Sequence, residues 1–220
     1  MQPVRRPRIK ICCIRDVAEA WTAIDQGASA LGLVSAMPSG PGVIEEATIA
    51  AVAKLVPPGV ATFLLTSLQD VPAIVAQHQR LRTTTLQIVD QLASGSYRDL
   101  REALPGIGLV QVVHVRGPES VDEAVTVAPQ VDAILLDSGN PALAVKELGG
   151  TGRRHDWAIS RQIREAVSVP IYLAGGLRAE NVAEAIEAVG PFGLDLCTGV
   201  RTDGRLDAAK LGSFVEAARI

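Results

Sequence analysis

Aromatic residues are scarce, at 3% of the 220-residue chain. A core therefore has to be filled by Val, Ile, Leu and Ala, and with 48% hydrophobic residues it can be a large one. There are only three cysteines and three histidines. An odd number of thiols makes no disulfide framework. Cys12, Cys13 and Cys197 lack the CxxC spacing of a zinc site, so no metal is expected. Neither sign of charge dominates: the net charge is −3, with no long basic or acidic block, which argues against nucleic acid or an anionic membrane as partner. No apolar run approaches ~18 residues, so no membrane span is expected. The first residues, MQPVRRPRIKICC, carry charge but no apolar stretch of the secretory kind. The expectation is a cytoplasmic protein with reduced thiols.

What is present is alternation. Strand-like runs occur at Ile9–Cys13, Ala30–Ser35, Ala61–Thr66, Thr85–Val89, Leu109–Val115, Ala133–Asp137, Pro170–Ala174 and Gly193–Cys197. Between them lie helical patterns. Val17, Ala20, Trp21 and Ile24 fall at i, i+3, i+4 and i+7, as do Val121, Ala124, Val125 and Ala128, and Val182, Ala185, Ile186 and Val189. Ser120 and Glu123 fit a capping box. Alternating strands and helices imply a parallel sheet, and eight such units predict an α/β fold, a (β/α)8 TIM barrel forming one domain over residues 1–220. A doubly wound open sheet is the competing arrangement. It would carry a G-x-G-x-x-G loop after the first strand, where this chain has CCIRD.

In a barrel, chemistry gathers at the C-terminal strand ends. Glycine-containing turns follow the seventh and eighth strands, at LAGGLRAEN and DLCTGV. Gly175, Gly176 and Gly199, with Thr198 beside the last, suit the backbone cradle that binds phosphate there, although each glycine alone could simply make a tight turn. Asp137 ends AILLD at the barrel mouth and is a candidate general acid; the alternative is a helix cap or loop salt bridge. Successive strand residues face opposite ways, so Ile9, Ile11 and Cys13 are expected toward the helices, and Lys10 and Cys12 toward the interior. Cys12 is thus a candidate base or nucleophile, and Cys13 a small buried hydrophobe. His78 is expected on a helix surface, and Arg153 and Arg154 as solvated loop charges.

Together KIC on strand one, LLDS on strand six, GGTGRRHDW in the following loop, LAGGLRAENV and DLCTGV resemble the phosphoribosylanthranilate isomerase family along essentially the whole chain. The resemblance implies a small (β/α)8 barrel of tryptophan biosynthesis. Its reaction is an Amadori rearrangement of an N-glycosylamine to an aminoketose, with a phosphorylated sugar as substrate and no cofactor. It implies Cys12 as base, Asp137 as acid, Gln87 at the family's glutamine, and Gly175, Gly176, Thr198 and Gly199 at the phosphate. Family members occur as monomers and homodimers.

Several positions depart from the family pattern. Gly42 stands at the arginine that binds the substrate carboxylate, Cys13 at the glycine after the family cysteine, Val89 at a histidine, and Arg201 at an acid. Arg15 and Arg201 are therefore candidate substrate-binding cations. Retained acid–base and phosphate positions beside an altered aromatic-acid end also fit a paralogue that isomerises another phosphorylated sugar. A non-catalytic phosphosugar-binding barrel is a further alternative, though pure binding would need neither Cys12 nor Asp137.

Overall fold

The computed structural model describes residues 6–150 and 152–219. Eight parallel strands close on themselves: β1 (Arg8–Ile11), β2 (Ala30–Val34), β3 (Ala61–Thr66), β4 (Thr85–Ile88), β5 (Gly108–His114), β6 (Ala133–Asp137), β7 (Ile171–Leu173) and β8 (Gly193–Leu196). β1 pairs with β8 in register, Lys10 opposite Asp195 and Ile11 opposite Leu196, so the first and last strands meet at one seam. Helices α1 (Val17–Asp25), α2 (Glu46–Leu55), α3 (Val71–Leu81), α4 (Tyr97–Ala103), α5 (Glu119–Val127), α6 (Trp157–Ala166), α7 (Val182–Val189) and α8 (Ala208–Ala217) follow the strands in turn. The open sheet is excluded by this closure. The expected strands are all found, with ends shifted by one or two residues, the scale on which strand ends fray.

Side-chain alternation along the strands produces two apolar layers. Residues such as Ile11, Leu31, Leu33, Leu64, Leu86, Ile134 and Leu173 face outward and pack on the helices. Ala30, Val34, Phe63, Leu65, Val110, Val112, Leu135 and Tyr172 have the opposite parity and fill the barrel interior. Burial on this scale contributes roughly 25 cal/mol per Å² of apolar surface and is the main favourable term.

Local chemistry sets the helix ends. Asp16, Asp70, Asp156 and Asp207 each accept a backbone N–H in the first turn of the next helix. Gly190 closes α7 with φ +65°. The capping box expected at Ser120 does not form. α5 starts at Glu119, and Ser120 is buried, its hydroxyl donating to the His114 carbonyl and accepting from the Arg116 N–H. A box forms instead at Ser96 and Asp99, ahead of α4. The α7 face is as expected, with Val182, Ala185, Ile186 and Val189 all buried. Trp21 and Val125 are exposed, however, because α1 and α5 turn narrower stripes inward, through Ala20 and Ala23 and through Ala124 and Val127. His78 is buried rather than on a surface; Nε2 lies 2.7 Å from the Thr83 carbonyl, where it ties the end of α3 to the approach to β4. Among the described residues, no helix is long and apolar enough to cross a membrane.

Candidate active site

At the C-terminal mouth a cavity brings together Cys12, Cys13, Gln87, Asp137, Asp195, Cys197 and the glycine turns. Asp195 lines it and pairs beneath it with Lys10, 2.8 Å away; Lys10 is fully buried, its ammonium 5.2 Å from the centre of the Phe63 ring. Burial works against the Lys10 charge, but the Asp195 carboxylate and the nearby Cys12 and Cys13 sulfurs together outweigh it, so the ammonium is held more tightly than an ordinary lysine. Removing one partner of so buried a pair typically costs about 3–5 kcal/mol, because the other charge is stranded.

Cys12 stands just beyond β1, its N–H donating to the Leu196 carbonyl at 2.7 Å. Gly32 on β2 makes room for it: a Cβ there would lie 2.9 Å from Cys12 Sγ and 3.2 Å from Lys10 Nζ. Both inward placements match the parity reading. Cys13 does not. It has φ +63° and lines the cavity instead of the helix layer. Ladder pairing stops at Ile11, so the alternation that would turn Cys13 outward is lost, and Ile14 fills the outer core in its place.

Asp137 ends β6 and is nearly buried. Its Oδ1 accepts the Ser138 N–H at 2.7 Å, and the Gly149 backbone comes so close that a Cβ there would fall 2.6 Å from Oδ2. Gln87 on β4 lines the same cavity, with its buried Oε1 unpartnered. The turns after β7 and β8 are packed against each other and against the connection from β6 to α6. A Cβ at Gly176 would meet the Gly152 carbonyl at 2.9 Å, and one at Gly199 the Leu177 carbonyl at 2.0 Å. Gly175 and Gly176 have φ of +85° and +65°. Asn181 braces the β7 turn, donating to the Gly176 carbonyl and accepting from the Arg178 N–H. Thr198 and Gly199 form a short 3-10 turn, Thr198–Val200, that lines the cavity opposite.

Neither expected substrate-binding cation reaches this space. The Arg201 guanidinium donates to Glu19, to the carbonyls of Cys12 and Cys13, and to the Gly204 carbonyl; with those acceptors it is a strut below the mouth. Arg15 is exposed and points to the Gly204 carbonyl at 3.4 Å. Among the described residues lining the cavity, none is a lysine or arginine. Arg153 and Arg154 are exposed and pair with Glu147 and Glu184, and Arg154 also stacks 3.5 Å above the Trp157 ring.

Asp195, Met37, Leu148 and Cys197 also line the cavity, and the sequence alone assigns none of them a site role. Asp195 was within reach of the parity argument, since it lies opposite Lys10 in the register. Leu148 was not, because nothing local fixes how its long connection folds back.

The fold and its mouth define a closed (β/α)8 barrel with glycine turns after β7 and β8, the position at which barrels of this class frequently bind phosphate. Comparisons with known proteins are more specific. The sequence model of the N-(5'-phosphoribosyl)anthranilate (PRA) isomerase family matches residues 9–217, and the chain belongs to that family. N-(5'-phosphoribosyl)anthranilate isomerase 2 of Methanosarcina mazei is 35% identical over 214 residues, covering 96% of this chain and 94% of the relative. The solved isomerase of Thermotoga maritima superposes with a TM-score of 0.79 at 25% identity, covering 97% and 98% of the two chains. A second structure of that enzyme is of monomers generated from its dimeric form. A phosphoribosyl anthranilate isomerase in complex with reduced 1-(o-carboxyphenylamino)-1-deoxyribulose 5-phosphate gives a TM-score of 0.77 at 23% identity, covering 97% and 98%.

Proposed function

We propose that Cys12 and Asp137 are the proton-transfer pair of a phosphoribosylanthranilate isomerase. The protein converts N-(5'-phosphoribosyl)anthranilate to the aminoketose in tryptophan biosynthesis, as its family and its full-length relatives indicate. One observation carries the residue assignment: the thiol, the carboxyl and the glycine turns line a single cavity. Asp137 donates a proton to the ribose ring oxygen, and the ring opens to an iminium. Cys12 then takes the proton from the sugar C2, leaving an enolamine that tautomerises to the ketone. The substrate nitrogen is the electron sink, so the residues need supply only general acid–base catalysis, typically worth about 10²–10⁴-fold for each group.

The phosphate lies at Gly175, Gly176, Thr198 and Gly199, where backbone N–H groups can approach an anion closely. The reduced product analogue bound by the structural relative has a ribulose phosphate at one end, as this reading requires. Gln87 Oε1 accepts a hydrogen bond from a sugar hydroxyl, satisfying a buried acceptor that lacks a partner in the free protein. Arg15 and Arg201 have no substrate role in this reading. The protein acts in the cytoplasm, as a monomer or as a homodimer like its T. maritima relative.

Expression in a tryptophan auxotroph lacking this isomerase tests the activity. Growth without tryptophan is expected. Absence of growth with folded protein present would contradict it.

A further inference from the structure

Cys13 and Cys197 are thiols that the chemistry above leaves unused, and they meet. Their Sγ atoms lie 2.6 Å apart across 184 positions of sequence. The backbone makes the meeting: Cys13 is turned inward by its left-handed conformation, and Cys197 follows directly after β8. Gly42 leaves the space open, since a Cβ there would fall 2.4 Å from Cys13 Cβ. Both sulfurs line the cavity, and Cys197 is only half-buried, so a small oxidant can reach the pair.

The two thiols are not alike. The hydrogen bond shared with Cys13 and the nearby Arg201 guanidinium draw Cys197 below an ordinary thiol. Hydrogen bonds with Cys12 and Cys197, together with burial, push Cys13 above one. One is suited to attack and the other to resolve.

We propose that Cys13 and Cys197 form a reversible disulfide by exchange with a small-molecule disulfide of the glutathione class, fastening the end of β1 to the end of β8. Cys197 thiolate attacks one sulfur of the small disulfide and expels a thiolate, giving a mixed disulfide. Cys13 then loses its proton and attacks Cys197 Sγ. The second small thiolate leaves and takes up a proton. Two protein thiols are oxidised, and one disulfide is reduced to two thiols. The bond closes a loop of most of the chain across the barrel seam, so it stabilises chiefly by restricting the unfolded state. The inference does not depend on which reaction the site performs.

Full-length protein is incubated with oxidised glutathione, then followed by thiol titration, intact mass, peptide mapping and thermal unfolding. The expected result is a fall from three titratable thiols to one, a mass lower by two hydrogens, and a linked peptide joining Cys13 to Cys197. Dithiothreitol should reverse all of these, and Tm should be several degrees higher in the oxidised form. Cys13→Ser and Cys197→Ser should each abolish the bridge and the Tm rise, while Cys12→Ser keeps both. Three free thiols after oxidation, a lasting glutathione adduct on the wild-type protein, or a bridge through Cys12 would overturn the proposal. The wild-type map decides alone if a variant fails to fold.

Discussion

Gly42 and Cys13 occupy one space between them. At Gly42, φ is +83° and a Cβ would fall 2.4 Å from that of Cys13. The pattern implied by the family resemblance has the bulk the other way, with glycine at position 13 and arginine at position 42. The sequence displays both changes but not their contact; only the fold brings positions 13 and 42 together. The exchange leaves position 42 without a side chain, and among the described residues no arginine lines the cavity. Gly42→Arg alone should therefore destabilise the protein by about 1–3 kcal/mol in denaturant unfolding, from strain and overlap. Combining it with Cys13→Gly should recover part of that loss. The double variant should also lower KM for the anthranilate-bearing substrate by roughly tenfold to a hundredfold, the worth of one charge-assisted pair. If the two substitutions acted independently on stability, the shared-space account would be wrong.

Among the elements, the strands and α7 were legible because burial imposes a period that the chain must carry in its own residues. The connection from β6 to α6 was not. It is fixed by partners far away in sequence: the Ser39 hydroxyl donates to the Lys146 carbonyl, and Lys146 Nζ pairs with Asp90. Its far end is held by His155, whose Nε2 lies 2.8 Å from Ser160 Oγ on α6. Burial lowers the pKa of His155 below the ordinary 6.5. The unfolded chain then binds a proton that the folded chain resists, so stability is held above pH 6.5 and lost as pH falls below it. Tm measured from about pH 7.5 down to about pH 5.5 should decline, and His155→Gln should flatten that decline. An unchanged slope in the variant would assign the loss to other groups.

For the whole molecule, eight repeated units announced a closed barrel, and inward parity placed Lys10 inside the barrel and Cys12 at the cavity. Parity failed one residue later, at Cys13, because it holds only while the ladder does. It likewise gave no warning that Arg201 would be spent on Glu19 and the backbone rather than on the mouth. Such commitments depend on three-dimensional neighbours, and charge alone does not reveal them.

In the proposed reaction a thiol just beyond the first strand and a carboxyl at the end of the sixth share the proton traffic at one sugar. Steady-state kinetics of purified Cys12→Ser and Asp137→Asn, with binding of a reduced product analogue measured alongside, tests this most directly. Each variant is predicted to lose at least about 10²-fold in kcat while binding the analogue with near-unchanged Kd. Either variant turning over at close to the wild-type rate would contradict it.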